Sequence, residues 1–306
     1  LSLSLAAMLV LAACGGGGNG NDVPDTFNVN VSASAGGSVI SDDEKIDTES
    51  EMFTAAYEEG AVVTLTAIPD EGFGLASWGN ASCDDGSLSC ELTVGTEDID
   101  VDVVFSAITS ETFGAESSAE EFLEDGDDSL AYAGNVQIGD NLELGIEPAA
   151  NYEVRQMVAV RFVDVDLTSA DGVYVEFTAQ DYQGRGFGSE GAVDLVISGD
   201  ASGAEFTADD EALSSRDTVE TTIPWVIEAN DSITAETVYR SPNLAELVQE
   251  MQAAGATDLV FYFSATEDNG LNYRYVHMAN ADEDTANEPR LVVESLADDT
   301  DGEAEE

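Results

Sequence analysis

The sequence predicts an all-β protein, a small β-rich unit followed by a jelly-roll β-sandwich with one short helix. Three observations carry this. Short runs alternate apolar and polar residues with a period of two, turn residues punctuate them at close intervals, and only one stretch repeats with the period of a helix. Apolar residues make up 43% of the chain, enough for real cores, so global disorder is not expected.

Taken in order, the chain begins with an apolar stretch, Leu1 to Leu11, that runs through Ala12 and Ala13 into Cys14 and then Gly15 to Gly18. A permanent membrane-spanning helix needs roughly 20 apolar residues, so residues 1–13 read as a cleaved export signal. Leu rather than Met stands first and no basic segment precedes the apolar one, so the expectation is that the true N-terminus lies upstream. Residues 14–26, with their Gly and Asn run and Pro24, read as a flexible tether.

From Phe27 the alternation starts. Phe27, Val29 and Val31 share one side, as do Val63 with Leu65, and Ile99, Val101 and Val103. Gly36-Gly37, Glu59-Gly60 and Pro69 to Gly72 supply turns, giving a β unit over residues 27–106. Cys83 and Cys90 flank the turn-forming Asp84-Asp85-Gly86-Ser87, so an oxidising compartment would close a short disulfide there. A cysteine pair also suits a metal, but no His lies near; the sole histidine is His277, which argues against zinc.

A Ser, Thr and Glu-containing joint is expected from residue 107 to about 116, and a second unit over residues 115–296. Val158, Val160 and Phe162 alternate, and the parity then shifts to Val163, Val165 and Leu167, which predicts a bulge. Further strands center on Val173 to Phe177, Val193 to Ile197, Leu259 to Phe263 and Leu291 to Val293. The helix has Ser241 as expected N-cap, Pro242 in its first turn, Leu244, Leu247, Val248 and Met251 on one face, and Gly255 at its end. Residues 297–306 form an acidic tail that reads as disordered.

Charge excludes one class of partner outright. With 64 acidic residues against 8 Lys plus Arg, the net charge of -56 leaves nothing to neutralise phosphates, so no nucleic acid is expected. Such a surface is hydrated and self-repelling, and salt screens it, which points to a saline, marine setting.

Three resemblances add to this reading. Leu11-Ala12-Ala13-Cys14 resembles the lipobox of bacterial lipoproteins, which implies lipidation of Cys14 and a membrane held through acyl chains worth about 0.8 kcal/mol per buried CH₂. Gly15 follows it, where Asp would favour inner-membrane retention, so the implied location is the outer membrane, facing outward. Ala35-Gly36-Gly37-Ser38-Val39, Tyr57 to Ala67, Gly72-Phe73, Ala76-Ser77-Trp78 and Val101 to Phe105 resemble the divergent InlB-type B-repeat of bacterial surface proteins, which implies a spacer or adhesion module with Trp78 in its core. Many members carry another cysteine pair soon after the Gly-Gly turn; here Ile46 to Ser50 has none.

The second unit is similar to the carbohydrate-binding jelly roll of module family 96 and DNRLRE type. The resemblance rests on Ser118 to Glu121, Asn141 to Gly145, Met157 to Phe162, Leu213 to Arg216, Thr222 to Trp225, Ser241 to Leu244 and Glu288 to Val293. That family often has Asp where Asn141 stands.

Oxygen-rich side chains on early strands suit a structural calcium ion, and Glu120, Glu121, Asn141 and Glu143 are the candidate ligands. Sugar binding calls for exposed aromatics that stack on pyranose rings and planar donors for hydroxyls or carboxylates. Tyr182 and Phe187 flank Arg185 in a Gly-rich loop, and Tyr239-Arg240 and Tyr273-Arg274 pair the same chemistries, with His277 on the face of Tyr273. These arginines could meet a uronate, as in alginate or pectin, or a neighbouring acid. Arg161 and Arg216 read as structural.

No nucleophile elbow, phosphate loop or histidine-metal motif is present. The reading is therefore a non-catalytic envelope lipoprotein that binds polysaccharide. The rivals are an adhesion or structural lipoprotein that binds no sugar, and a polysaccharide-degrading enzyme, which needs only two carboxylates at the right separation.

Overall fold

In a computed structural model the described residues are 24–84, 86–124, 136–138, 142–149, 152–180, 192–206, 213–228, 236–266, 274–281 and 286–297. The chain divides after Phe105 into two units, each with its own core. The expected lipidation site, Cys14, lies outside the described residues.

The first unit follows its alternation closely. Strand β1 (Thr26–Ala33) pairs antiparallel with β3 (Thr54–Glu58) and parallel with the start of β7 (Ile99–Gly114), Val29 lying opposite Ile99 and Ala33 opposite Val103. A second, antiparallel sheet runs β2 (Gly37–Ser41), β4 (Val62–Pro69), β6 (Ser89–Thr93). The short β5 (Phe73–Ser77) pairs with β7. Because successive side chains point to opposite faces, Val29, Val31, Val63, Leu65, Val101 and Val103 all enter one core, with Trp78 fully buried among them. The indole keeps a partner there, donating from Nε1 to the Ser87 carbonyl at 2.8 Å. Cys83 and Cys90 are joined as a disulfide across this same loop. Gly36 adopts a φ of +99° with the Phe73 ring against it, so a side chain there would meet both a strained backbone and the ring.

The residues expected to form a joint are a strand instead. Ile108 to Gly114 continue β7 and pair antiparallel with β18 (Arg290–Leu296), so the Ser, Thr and Glu content reflects an exposed face and not a linker. Beside β18 lie β12 (Gly172–Thr178) and the short β15 (Val238–Arg240). The opposing sheet is ordered β14 (Thr218–Ile227), β13 (Val193–Asp200), β16 (Leu259–Ala265), β11 (Tyr152–Phe162), β10 (Leu142–Ala149), β17 (Arg274–Met278). On the other edge of β11 lies β8 (Ser117–Glu124), which carries β9 (Val136–Ile138). Pro224 is tolerated in β14 because that strand is an edge, where a missing N–H costs no ladder bond.

The two sheets of this unit make a β-sandwich around one apolar core. Val158, Val160, Phe162, Phe261 and Phe263 from one side meet Val173, Val175, Phe177, Leu291 and Val293 from the other. Phe177 and Phe263 pack edge to face at 4.9 Å, and Trp225 stacks on Phe177 at 6.2 Å; each such pair is worth about 0.5–1.5 kcal/mol beyond its burial. Helix α1 (Ala245–Ala254) seals the core with Leu247, Val248 and Met251, and Gly255 ends it in the left-handed conformation.

Two local expectations are corrected here. Ser241 does not cap the helix: its hydroxyl accepts the Val175 N–H, while Asn243 Oδ1 accepts Ala245 N–H, and the helix begins after Leu244. Nor is there a bulge after Phe162. The strand stops, and Asp164 turns the chain with a φ of +54°, which explains the change of parity without a continuing ladder.

The outer face of the larger sheet is also covered. Ala159, Val260 and Tyr262 point away from the main core and are buried under Phe206 and Leu213 of the segment between β13 and β14. This second layer carries charged residues, Glu121, Arg161, Asp200 and Arg216.

Candidate functional site

Alternation along β8 sends its two adjacent carboxylates to opposite faces. Glu121 accepts from the Ser214 N–H at 2.7 Å and from its hydroxyl at 3.0 Å, anchoring the 3-10 turn Leu213–Ser215 onto the outer face. Glu120 turns the other way, and its Oε1 accepts the Glu143 N–H at 3.0 Å. The Glu143 carboxylate in turn accepts from Gln156 Nε2.

The structure thus brings Glu120 and Glu143 together and sets Glu121 apart; Asn141 lies outside the described residues. Gln156 is the residue that sequence reasoning missed. It is completely buried, and its Oε1 has no hydrogen-bond partner. A polar residue in phase with Val158 and Val160 was the available signal. The Glu120 and Glu143 carboxylates and the Gln156 amide oxygen are oxygen donors of the kind that suit a hard cation. Among the described residues, no group of three His, Cys, Asp or Glu side chains could hold a metal, so the set depends on that amide.

The aromatic and arginine candidates separate in a similar way. Tyr239 packs its ring against the main core, and its buried hydroxyl has no partner; burial raises its pKa. Its neighbour Arg240 is taken up by acids, with Nη2 at 2.6 Å from Glu294 and Nε at 3.7 Å from Glu176, and its guanidinium lies 3.9 Å from the centre of the Tyr174 ring. For Arg240 the neighbouring-acid alternative is the one realised. Arg274 and His277 are placed only by backbone register on β17, opposite Ile146 and Glu143. Tyr182, Arg185, Phe187 and Tyr273 lie outside the described residues.

Arg161 and Arg216 hold the outer layer together. Arg161 bridges Glu116 and Asp258, the latter at 2.6 Å. Arg216 donates to the carbonyls of Ala204 and Glu205 and lies 3.6 Å from Asp200. Asp200 is almost wholly buried and accepts from Ser202, Gly203 and the Tyr262 hydroxyl. Burial pushes its carboxyl pKa up, but these hydrogen bonds outweigh that and hold it below the usual value.

A cleft of about 1030 Å³ opens elsewhere in the second unit. It is lined by the segment Asp166 to Asp171 together with Thr109, Glu111, Gln249, Val293 and Leu296, and the lining is more polar than apolar. Asp166 Oδ1 accepts the Thr168 N–H and hydroxyl, and Asp171 Oδ2 accepts the Leu296 N–H. The second oxygen of each is left for a ligand. The Thr168 bonds also lower the pKa of Asp166, keeping it charged. Its hydroxyls and carboxylates can hydrogen-bond a polyol, and among the described residues no basic side chain lines the cleft. The sequence pattern gave no warning of it, because Val163, Val165 and Leu167 read as a strand continuing past a bulge and not as the wall of a cleft.

Residues 27–109 match the profile of the divergent InlB B-repeat domain. No curated protein matches this chain.

Proposed function

We propose that this is a non-catalytic lipoprotein of the bacterial cell envelope, anchored through Cys14, that binds polysaccharide through its second unit and uses the first as a spacer. The observation that carries the binding reading is the polar-rimmed cleft on a rigid sandwich, of a size that suits a few sugar rings. The B-repeat match supports the spacer role. In this reading the glycan is uncharged where it enters the cleft, since Glu111, Asp166 and Asp171 would repel a uronate. Uronate contacts would fall to Arg185 and Arg274, with Tyr182, Phe187 and Tyr273 as the candidate stacking rings. Calcium, held by Glu120, Glu143 and the Gln156 amide oxygen, would brace the early strands and take no part in sugar contact.

Affinity electrophoresis through neutral and uronate-rich polysaccharides, with and without calcium, tests this. Retardation by a neutral polymer, lost in Glu111→Ala/Gln249→Ala, is the expected result. Retardation by no glycan would sink the reading and leave adhesion without sugar binding; release of reducing ends would favour an enzyme. Replacing Cys14 with Ala should move the protein from the membrane to the soluble fraction.

A further inference from the structure

We propose that the first unit is a load-bearing element, built so that tension along the chain is resisted by its first and last strands acting as one clamp. The inference stands whatever the second unit binds. It starts from the parallel pairing of β1 with β7. The chain enters through β1 and leaves through the β7 segment that ends at Phe105, and these two strands lie side by side and run the same way. Their outer ends are therefore at opposite ends of the pair. A pull on both loads every ladder bond from Val29–Ile99 to Ala33–Val103 together in shear, whereas an antiparallel terminal pair would open one bond at a time.

Side chains add a second row of bonds across the same seam. Asn28 Nδ2 donates to Asp98 Oδ2 at 3.2 Å, Asn30 Nδ2 to Asp100 Oδ1 at 2.8 Å, and the Ser32 hydroxyl to Asp102 Oδ1. At the far end the Phe105 N–H donates to Ser34 Oγ at 2.8 Å. The row is exposed, so burial does not require it, and in a chain of charge -56 it places three aspartates on alternate residues, Asp98 just before β7 and Asp100 and Asp102 within it. Such a row is costly unless each carboxylate has its donor across the seam. Thr54 donates to Asn30 Oδ1, extending the link to β3.

Single-molecule pulling on the full chain, held by tags at its two ends, tests the proposal. Opening the first unit should release the chain from Thr26 to Phe105 less the disulfide loop, about 250 Å at full extension, and reductant should lengthen that step by about 25 Å. This fingerprint identifies the event. Lys45, the sole lysine, gives a second attachment point that bypasses β1. The end-to-end pull should need about twice the force of the Lys45 pull, because forced opening follows the unfolding barrier along the loaded path. Asn28→Ala/Asn30→Ala/Ser32→Ala should open roughly ten-fold faster at a given load. If the triple variant fails to fold, Asn30→Ala alone should show a smaller change in the same direction. Equal or lower force in the end-to-end geometry, or variants that open at the unaltered rate, would overturn the clamp.

Discussion

Each unit contains a tyrosine that donates its hydroxyl to an aspartate beside a cation, and the two differ mainly in depth. In the first, Tyr57 donates to Asp43 at 2.9 Å, with Lys45 2.8 Å from the carboxylate and 4.6 Å from the Tyr57 ring centre. In the second, Tyr262 donates to Asp200 while Arg216 lies 3.6 Å from the carboxylate and 5.3 Å from the Phe206 ring. The Asp43 side chain is 33% exposed and that of Asp200 is 1% exposed. Water can replace a lost partner at Asp43 but not at Asp200, so the same chemistry should be a surface trim in one unit and a structural pin in the other. The two tryptophans separate the readouts, since Trp78 belongs to the first core and Trp225 to the second.

The largest effect is expected from Asp200→Ala, which removes the buried carboxylate that accepts from the Tyr262 hydroxyl, Ser202 and Gly203 and lies beside Arg216. Denaturant unfolding followed through Trp225 should lose about 3–5 kcal/mol, with Trp78 fluorescence unmoved. A loss below 1 kcal/mol would mean that water reaches the site. Next comes Cys83→Ser/Cys90→Ser, which should cost the first unit about 2.5 kcal/mol from its short loop and leave the second unchanged. Asp43→Ala should cost only about 1 kcal/mol, and Lys45→Met about 0.3 kcal/mol, falling to nothing at high salt. If Asp43→Ala matched Asp200→Ala, depth would not be what separates the pairs.

Titration sharpens the contrast. Burial raises the pKa of each aspartate, but donated hydrogen bonds outweigh it and both lie below the usual value. Stability from each is thus complete above the unfolded value of about 3.9 and is lost as pH falls through the folded pKa. The two losses should appear as separate acid limbs, that of Asp43 in the Trp78 signal and that of Asp200 in the Trp225 signal. Tyr57, pushed up to about 12 mainly by burial, has the opposite sign. Its contribution is complete below about pH 10 and drains away between there and about 12, so Tyr57→Phe should flatten the alkaline limb of the first unit's melting curve.

Much of this architecture was legible in the residues. Period-two alternation located β1, β4, β13, β16 and β18, and the spacing of Leu244, Leu247, Val248 and Met251 located the buried helix face. The Cys83–Cys90 bridge was legible from its turn. Long-range partners were not. Ile108 to Gly114 look like a linker until β18 lies beside them, and nothing near Arg240 in sequence announces Glu294. Gln156 looks like one polar residue in an apolar strand; its meaning comes from Glu143, supplied by another strand. The candidate site was only partly legible for the same reason: local pattern fixes which way a side chain points, while its chemistry depends on what the fold sets opposite.

The pinning of cations on carboxylates also bears on how the chain would meet a protease. An enzyme that cuts after lysine or arginine must draw that residue, extended and unpaired, into its own cleft. Lys45 rests on Asp43, Arg161 between Glu116 and Asp258, Arg216 beside Asp200 and Arg240 on Glu294. Arg161 and Arg240 also lie within paired strands. At Arg161 and Arg240 digestion has to wait for local opening, so its rate there would track the stability of the surrounding strands, whereas exposed Lys45 should be cut first.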